Sequence, residues 1–213
     1  NFFPQWLEKL SQNSVHRIIK ETTQSMILNE SILETTKRIQ KALSAGRHGA
    51  TAIAQTSIFG AYAHSERQSF IENKEIIKGV RYQVELDRRT CALCAPLDQQ
   101  EYFPVDNAPV VPLHFRCRCY LEPIFKDKRI EKAIEGKRIA RLDREKRTVR
   151  HRDGTTSTKY EKLRVKHVPE TMSYNSWMES MIKSKNPADV SFAREALGPA
   201  LSRCSLRFFS TRK

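Results

Sequence analysis

The stretch CALCAPLDQQEYFPVDNAPVVPLHFRCRC, from Cys91 to Cys119, holds four of the chain's five cysteines and one histidine, His114. The spacing is C-x2-C, nineteen residues, then H-x2-C-x-C. Zinc takes a tetrahedron of thiolate sulfur and imidazole nitrogen, usually as two close pairs from separate parts of a chain. A C-x2-C turn can aim two sulfurs at one point, and cysteines two apart on a strand share a face. Cys91, Cys94, His114, Cys117 and Cys119 are thus five candidate ligands for four positions, and the spacing leaves open which one stands out. Between the two groups, Asp98 to Leu113 contains three prolines and little regular pattern, so few contacts of its own would order it. A structural zinc, worth on the order of 10 kcal/mol in small zinc modules, would tie it to its flanks. A disulfide framework suits an exported protein, and a redox C-x2-C suits a βαβ setting; neither setting is visible here. A catalytic zinc keeps an open position, whereas ligands are in surplus. Cys204 stands alone and reads as a buried small residue.

The flanks of the window have the period of strands. In GVRYQVELD, Val80, Tyr82, Val84 and Leu86 alternate with Arg81, Gln83 and Glu85, which predicts a half-buried strand. RCRCYLEP predicts a second, with Cys117, Cys119 and Leu121 on one face. Antiparallel pairing of the two would bring both cysteine groups to one end of a small sheet. Upstream, residues 5–45 read as two amphipathic helices, one carrying Trp6, Leu7, Leu10, Val15, Ile18 and Ile19, the other Ile32, Leu33, Ile39 and Leu43. Ser31 and Glu34 form a capping-box pattern. ATAIAQTSIFGAYAHSERQSFIE reads as a buried helix of small residues. Downstream, KDKRIEKAIEGKRIARLDREKRTVR reads as a charged helix with a thin stripe of Ile130, Ile134 and Ile139. Asp153-Gly154 signals a turn, and Tyr174, Trp177, Met178 and Met181 mark a final helical segment with a break at Asn186-Pro187. The expected class is α+β, mainly helical, with a small antiparallel sheet clipped by a structural zinc site and extended helical arms. The expected segments are an N-terminal helical arm (1–45), a zinc-clipped core (46–125), a basic helix and turn (126–168) and a C-terminal helical segment (169–213).

The formal charge is +14, and between Lys126 and Lys166 there are 16 Lys/Arg against 7 Asp/Glu. Charge at that density repels itself and favours a polyanionic neighbour such as DNA; the plainer alternative is a solvated basic helix with no specific partner. The candidate DNA contacts are Lys137, Arg138, Arg141, Arg144, Lys146, Arg147, Arg150 and Arg152. Phosphate contacts of this kind are independent of sequence and sensitive to salt. Tyr160 is the block's single aromatic residue, which argues against stacking on unpaired bases. No apolar run approaches the roughly 20 residues that span a bilayer, and NFFPQWLEKL has no secretion pattern. Neither membrane insertion nor export is expected.

Three stretches, ATAIAQTSIFGAYAHSE, VELDRRTCALCAPLDQQEY and VPLHFRCRCYLEPIF, together resemble the phage head-morphogenesis family, the minor head proteins similar to protein F of phage Mu. Asp87, Arg89, Thr90, Cys91 and Cys94 match its D-x-R-T-C-x-x-C block, and Leu97 and Asp98 begin its turn. His114, Cys117, Arg118, Cys119 and Leu121 match its H-P-x-C-R-C-x-L block. YNSWMESM and FAREALGPALSR resemble the family's ending more loosely. Gln55 and Ser57 replace an Arg and a Glu of the helix motif, Gln99-Gln100 replaces an Asp-Gly-like turn, and Phe115 replaces a proline; none of these removes a candidate ligand. The resemblance implies a structural minor capsid protein of a tailed phage rather than an enzyme. It would be present in multiple copies inside the head near the portal after assembly in the host cytoplasm. Its partners would be the portal protein and/or the major capsid protein, with double-stranded DNA met through nonspecific contacts during packaging or delivery. The alternative is a zinc-containing nuclease or other DNA-processing enzyme. That chemistry needs an acidic or second-histidine partner beside His114, and the window offers Asp98, Glu101 and Asp106. No helix-turn-helix spacing supports a regulator.

Overall fold

Ser31 accepts a hydrogen bond from the Glu34 N–H at 3.3 Å, and the Glu34 carboxylate accepts one from the Ser31 N–H at 2.7 Å. This reciprocal pair starts a helix where the sequence pattern places one. The structure, a computed structural model, describes residues 11–134, 136–151 and 154–208; at 134, 143–147, 158–163 and 199–208 it describes the backbone alone. The class is α+β, and the chain divides into two units, Asn1–Gln83 with Gln100–Glu131 and Val84–Gln99 with Lys132–Lys213. No described helix is long and apolar enough to cross a membrane.

In the first unit, α1 (Gln12–Ile27), α2 (Ile32–Leu43) and α3 (Arg47–Glu72) pack on one another. Ile39 of α2 buries against Ala50 and Ala54 of α3, whose small side chains let the two helices approach closely. The α1–α2 contact is more polar than the pattern of isoleucines and leucines suggests. Ser25 and Thr35 share a buried hydrogen bond, and Arg38 holds Glu30 at 2.5 Å. Leu33, expected on the inner stripe, is 53% exposed, because α2 turns Thr35, Thr36 and Ile39 inward. The expected positions Trp6, Leu7 and Leu10 lie outside the described residues.

Three antiparallel strands complete this unit in the order β2-β1-β3, with β1 at Ile77–Gln83, β2 at Glu101–Tyr102 and β3 at Tyr120–Phe125. The pairing of the two predicted strands is present, with Tyr82 opposite Leu121 and Gln83 opposite Tyr120. Two details differ from expectation. β1 ends at Gln83, so Val84 and Leu86 are buried outside it, and β3 begins after Cys119, so neither Cys117 nor Cys119 sits on a strand. The proline-rich loop between β2 and β3 is held from α3, where the Arg67 guanidinium donates to the carbonyl oxygens of Asp106 and Ala108, each at 2.9 Å. Gly79 is required where β1 passes β2, since a Cβ there would lie 2.3 Å from the Tyr102 carbonyl oxygen and 2.4 Å from the Phe103 ring.

The short helix α4 (Lys128–Ile134) leads into the second unit. There the expected basic helix gives way to a long antiparallel hairpin, β4 (Lys137–Arg150) paired with β5 (Thr156–Pro169). Gly136 interrupts the helical pattern, and beyond it the residues alternate. Arg138, Ala140 and Leu142 are buried, while Lys137, Ile139 and Arg141 are exposed. Leu86 runs beside Ala140 in a parallel bridge, and its carbonyl accepts the Arg141 N–H at 2.7 Å. The expected turn retains Gly154 at φ +82°, with Asp153 outside the described residues. Helices α5 (Tyr174–Ile182) and α6 (Pro187–Phe208) follow on either side of Asn186, whose side-chain oxygen caps the Ala188 N–H at 3.0 Å. Trp177 is buried between Tyr174 and Phe192, at ring separations of 5.9 and 5.6 Å. Lys166 of β5 pairs with Asp189 of α6 at 2.5 Å. Burial opposes ionisation of Asp189, but the Lys166 and Ser184 hydrogen bonds outweigh it and hold the carboxyl below the usual range.

Substituting Gly79→Ala forces the β1–β2 contact apart, with an expected loss of about 1–3 kcal/mol. Urea unfolding checks this; Gly60→Ala, whose Cβ would meet Pro112 at 3.2 Å, is expected to cost less.

Candidate metal centre

The C-x2-C pair stands on a turn built by the residues just before it. The Asp87 carboxylate accepts the Arg89 N–H at 2.8 Å, its carbonyl accepts the Thr90 N–H at 3.3 Å, and the Thr90 hydroxyl donates to the Glu85 carbonyl. The Cys91 carbonyl then accepts the N–H groups of Cys94 and Ala95 at 3.2 and 3.0 Å. This wraps the chain so that the two thiols lie within 4.8 Å of each other, Cys94 buried and Cys91 half-buried. A short 3-10 turn at Ala95–Leu97 follows and delivers Asp98 to the interior.

Asp98 locks this segment within its unit. Its side chain is 0% exposed. It accepts the Val84 N–H at 3.0 Å, the Tyr174 N–H at 2.6 Å and the two ends of the Arg138 guanidinium at 2.9 and 3.0 Å. Arg138 spends its remaining reach on the carbonyl oxygens of Val84 and Met172, each at 2.6 Å. Both carboxylate oxygens and both terminal guanidinium nitrogens of this buried ion pair have partners, which is the condition under which such a pair is tolerated. Burial also pushes the Tyr174 phenol up to about 12, with negative charge at Asp87 and Cys91 adding to the effect.

The other ligand group belongs to the first unit and is positioned differently. The His114 carbonyl accepts the Cys117 N–H at 3.1 Å, and Arg116 takes the left-handed conformation at φ +57°. The Arg116 N–H donates to the Thr56 hydroxyl of α3 at 2.9 Å, so the small-residue helix holds the loop. His114 Nδ1 lies 2.8 Å from the Phe115 carbonyl oxygen. A carbonyl only accepts, so Nδ1 carries a proton, and in the neutral imidazole that leaves Nε2 as the nitrogen able to ligate a metal. The thiols of Cys117 and Cys119 are both buried and lie within 4.8 Å of each other.

Each unit brings two cysteines close enough to share a metal ion, Cys91 with Cys94 in the second and Cys117 with Cys119 in the first, where His114 stands on the same loop. None of the four cysteines forms a disulfide. Closely spaced thiols and one imidazole are the donor set of zinc rather than of calcium or magnesium.

The basic candidates fare unevenly. Lys137, Arg141 and Arg150 are exposed, with Arg141 3.6 Å from Glu85. Arg138 is buried in the Asp98 pair, which removes it from the surface set. The side chains of Arg144, Lys146 and Arg147, and Arg152 altogether, lie outside the described residues, as does the Cys204 side chain. The acidic residues available to a hydrolytic reading are engaged in part, Asp98 as above and Glu101 with Arg81 at 2.9 Å. Sequence spacing missed Thr56, Arg67 and the Asp98–Arg138 pair, because each acts across 39 or more residues. The position of Asp98 at the start of the family's turn was the one local hint.

A family model described as Phage Mu protein F like protein matches residues 16–122, and the chain belongs to this family of phage head-morphogenesis proteins. The match begins within α1, takes in α2 and the motifs around the cysteines, and ends within β3. No curated protein and no solved structure matches the chain.

Removing the Asp98 carboxylate leaves the Arg138 charge buried and unpaired. Asp98→Ala is expected to cost about 3–5 kcal/mol in urea unfolding, and the double change Asp98→Leu with Arg138→Met to cost less than the single one.

Proposed function

We propose that this protein is a structural minor head protein that assembles into the interior of a tailed-phage capsid near the portal. The observation that carries the reading is the family match over residues 16–122. Portal and major capsid subunits are the expected partners, with several copies per particle and assembly in the host cytoplasm. In this reading a single structural zinc is held by four of Cys91, Cys94, His114, Cys117 and Cys119. The paired thiols and the Nδ1-protonated His114 support it, and zinc would supply ordering of the loop rather than a reactive centre. The basic segment meets packaged DNA through phosphates, with Lys137, Arg141, Arg144, Lys146, Arg147, Arg150 and Arg152 as contacts and Arg138 excluded by its burial. The nuclease alternative is disfavoured by the commitment of Asp98 to four donors inside its own unit.

Metal analysis of the purified protein is expected to give one zinc per chain, and Cys91→Ser with Cys94→Ser to lose metal and cooperative unfolding together. A folded, metal-free double variant would sink the zinc clip. Neutralising Arg141, Arg144, Arg147 and Arg150 is expected to lower duplex affinity and to reduce the salt slope by roughly 0.9 for each phosphate that is no longer neutralised. Unchanged binding would sink the DNA-facing role of the segment.

A further inference from the structure

Resting on the DNA reading above, we infer that the β4–β5 hairpin engages duplex DNA as a two-stranded ribbon whose paired backbone, and not its charge alone, makes the site. The two strands carry eleven lysines and arginines against three carboxylates. They form a sheet of their own to which no described third strand is added. Past the buried Leu142, residues 143–150 and 156–163 leave eight on each strand. At about 3.3 Å per residue these extend roughly 26 Å, most of one turn of B-form DNA, about 34–36 Å. A ribbon of two strands about 4.8 Å apart fits a major groove about 12 Å wide, which admits such a ribbon or one helix.

The register shows where the charge is concentrated. Arg147 stands directly opposite Lys159, Lys146 opposite Tyr160, and Arg144 opposite Leu163 with Lys162 and Arg164 on either side. Like charges opposed across an antiparallel pair destabilise it, so the Arg147–Lys159 step is a position where pairing works against charge unless an anion lies over it. The base of the hairpin differs. There one face is covered, with Ala140, Leu142 and Val168 buried, and the cations Arg138 and Lys166 are each committed to an aspartate of their own unit. The ribbon therefore divides into an anchored base and a distal part, and Lys159 and Lys162 of β5 join the β4 cations as contacts. A helix of the same composition would spread those charges around its axis; the hairpin sets them along two adjacent rails at the rise of a strand.

The test uses the full chain with a random-sequence 30-base-pair duplex at moderate salt. Arg147→Gln with Lys159→Gln is expected to melt higher than the parent while binding duplex about tenfold more weakly, with the salt slope reduced by roughly 1.8. Thr148→Pro with Thr158→Pro breaks pairing at register partners without changing charge, and is expected to lose at least as much affinity; Thr148→Val with Thr158→Val keeps it. Trp177 fluorescence, read in a Trp6→Phe background because the chain has two tryptophans, reports that the rest of the unit is intact. A proline variant with native Trp177 emission that binds like the valine variant overturns the ribbon and leaves the DNA reading standing, as does a Gln pair with unchanged affinity. If proline unfolds the unit, the Gln pair alone decides. Absence of duplex binding by the parent chain removes both readings, and equal affinity for inorganic polyphosphate of the same charge removes the duplex as the partner.

Discussion

The Asp98 carboxylate is the point on which the second unit depends. It receives the Val84 N–H, the Tyr174 N–H and both ends of the Arg138 guanidinium, so one side chain joins the entering segment, the hairpin and the start of α5. Taking two charges out of water costs several kcal/mol per ion. That cost is offset here because Arg138 also reaches the carbonyls of Val84 and Met172. What the pair contributes beyond energy is direction: a bidentate fork accepts few geometries, so the position of β4 relative to Val84 follows from it.

The two cysteine groups are built by different means. Before Cys91, Asp87 and Thr90 tie a turn with their own side chains, so the D-x-R-T block is the scaffold of the thiol pair that follows. Before Cys117, the loop depends on α3, through Thr56 to the Arg116 N–H and through Arg67 to the carbonyls of the proline-rich stretch. A local turn forms from neighbours in sequence. The second arrangement forms only when a helix some 60 residues away is in place.

The hairpin shows why charge patterning misleads about secondary structure. Isoleucines at Ile130, Ile134 and Ile139 with dense Lys and Arg satisfy a helical template, and Lys128–Ile134 is indeed helical. Past Gly136 the same composition pairs with Thr156–Pro169, a segment that includes two valines, two threonines and a tyrosine. Ile139 then lies on the exposed face, and Ala140 and Leu142 are covered. Local spacing cannot register a partner strand that supplies half of the hydrogen bonds.

By itself the sequence determined the family, the five candidate ligands, the capping of α2, the antiparallel pairing around the cysteine window and the break before α6. Each of these is carried by residues close together or by an ordered motif. Only the tertiary structure decided that Arg138 is an interior ion-pair partner, that the basic block is a ribbon, and that Cys117 and Cys119 precede their strand. The physical reason is common to all three. A cation's role depends on whether a carboxylate and two carbonyls meet it in a space that water has left, and a strand's existence depends on a distant neighbour to hydrogen-bond with. Neither condition is written in the spacing of residues along the chain.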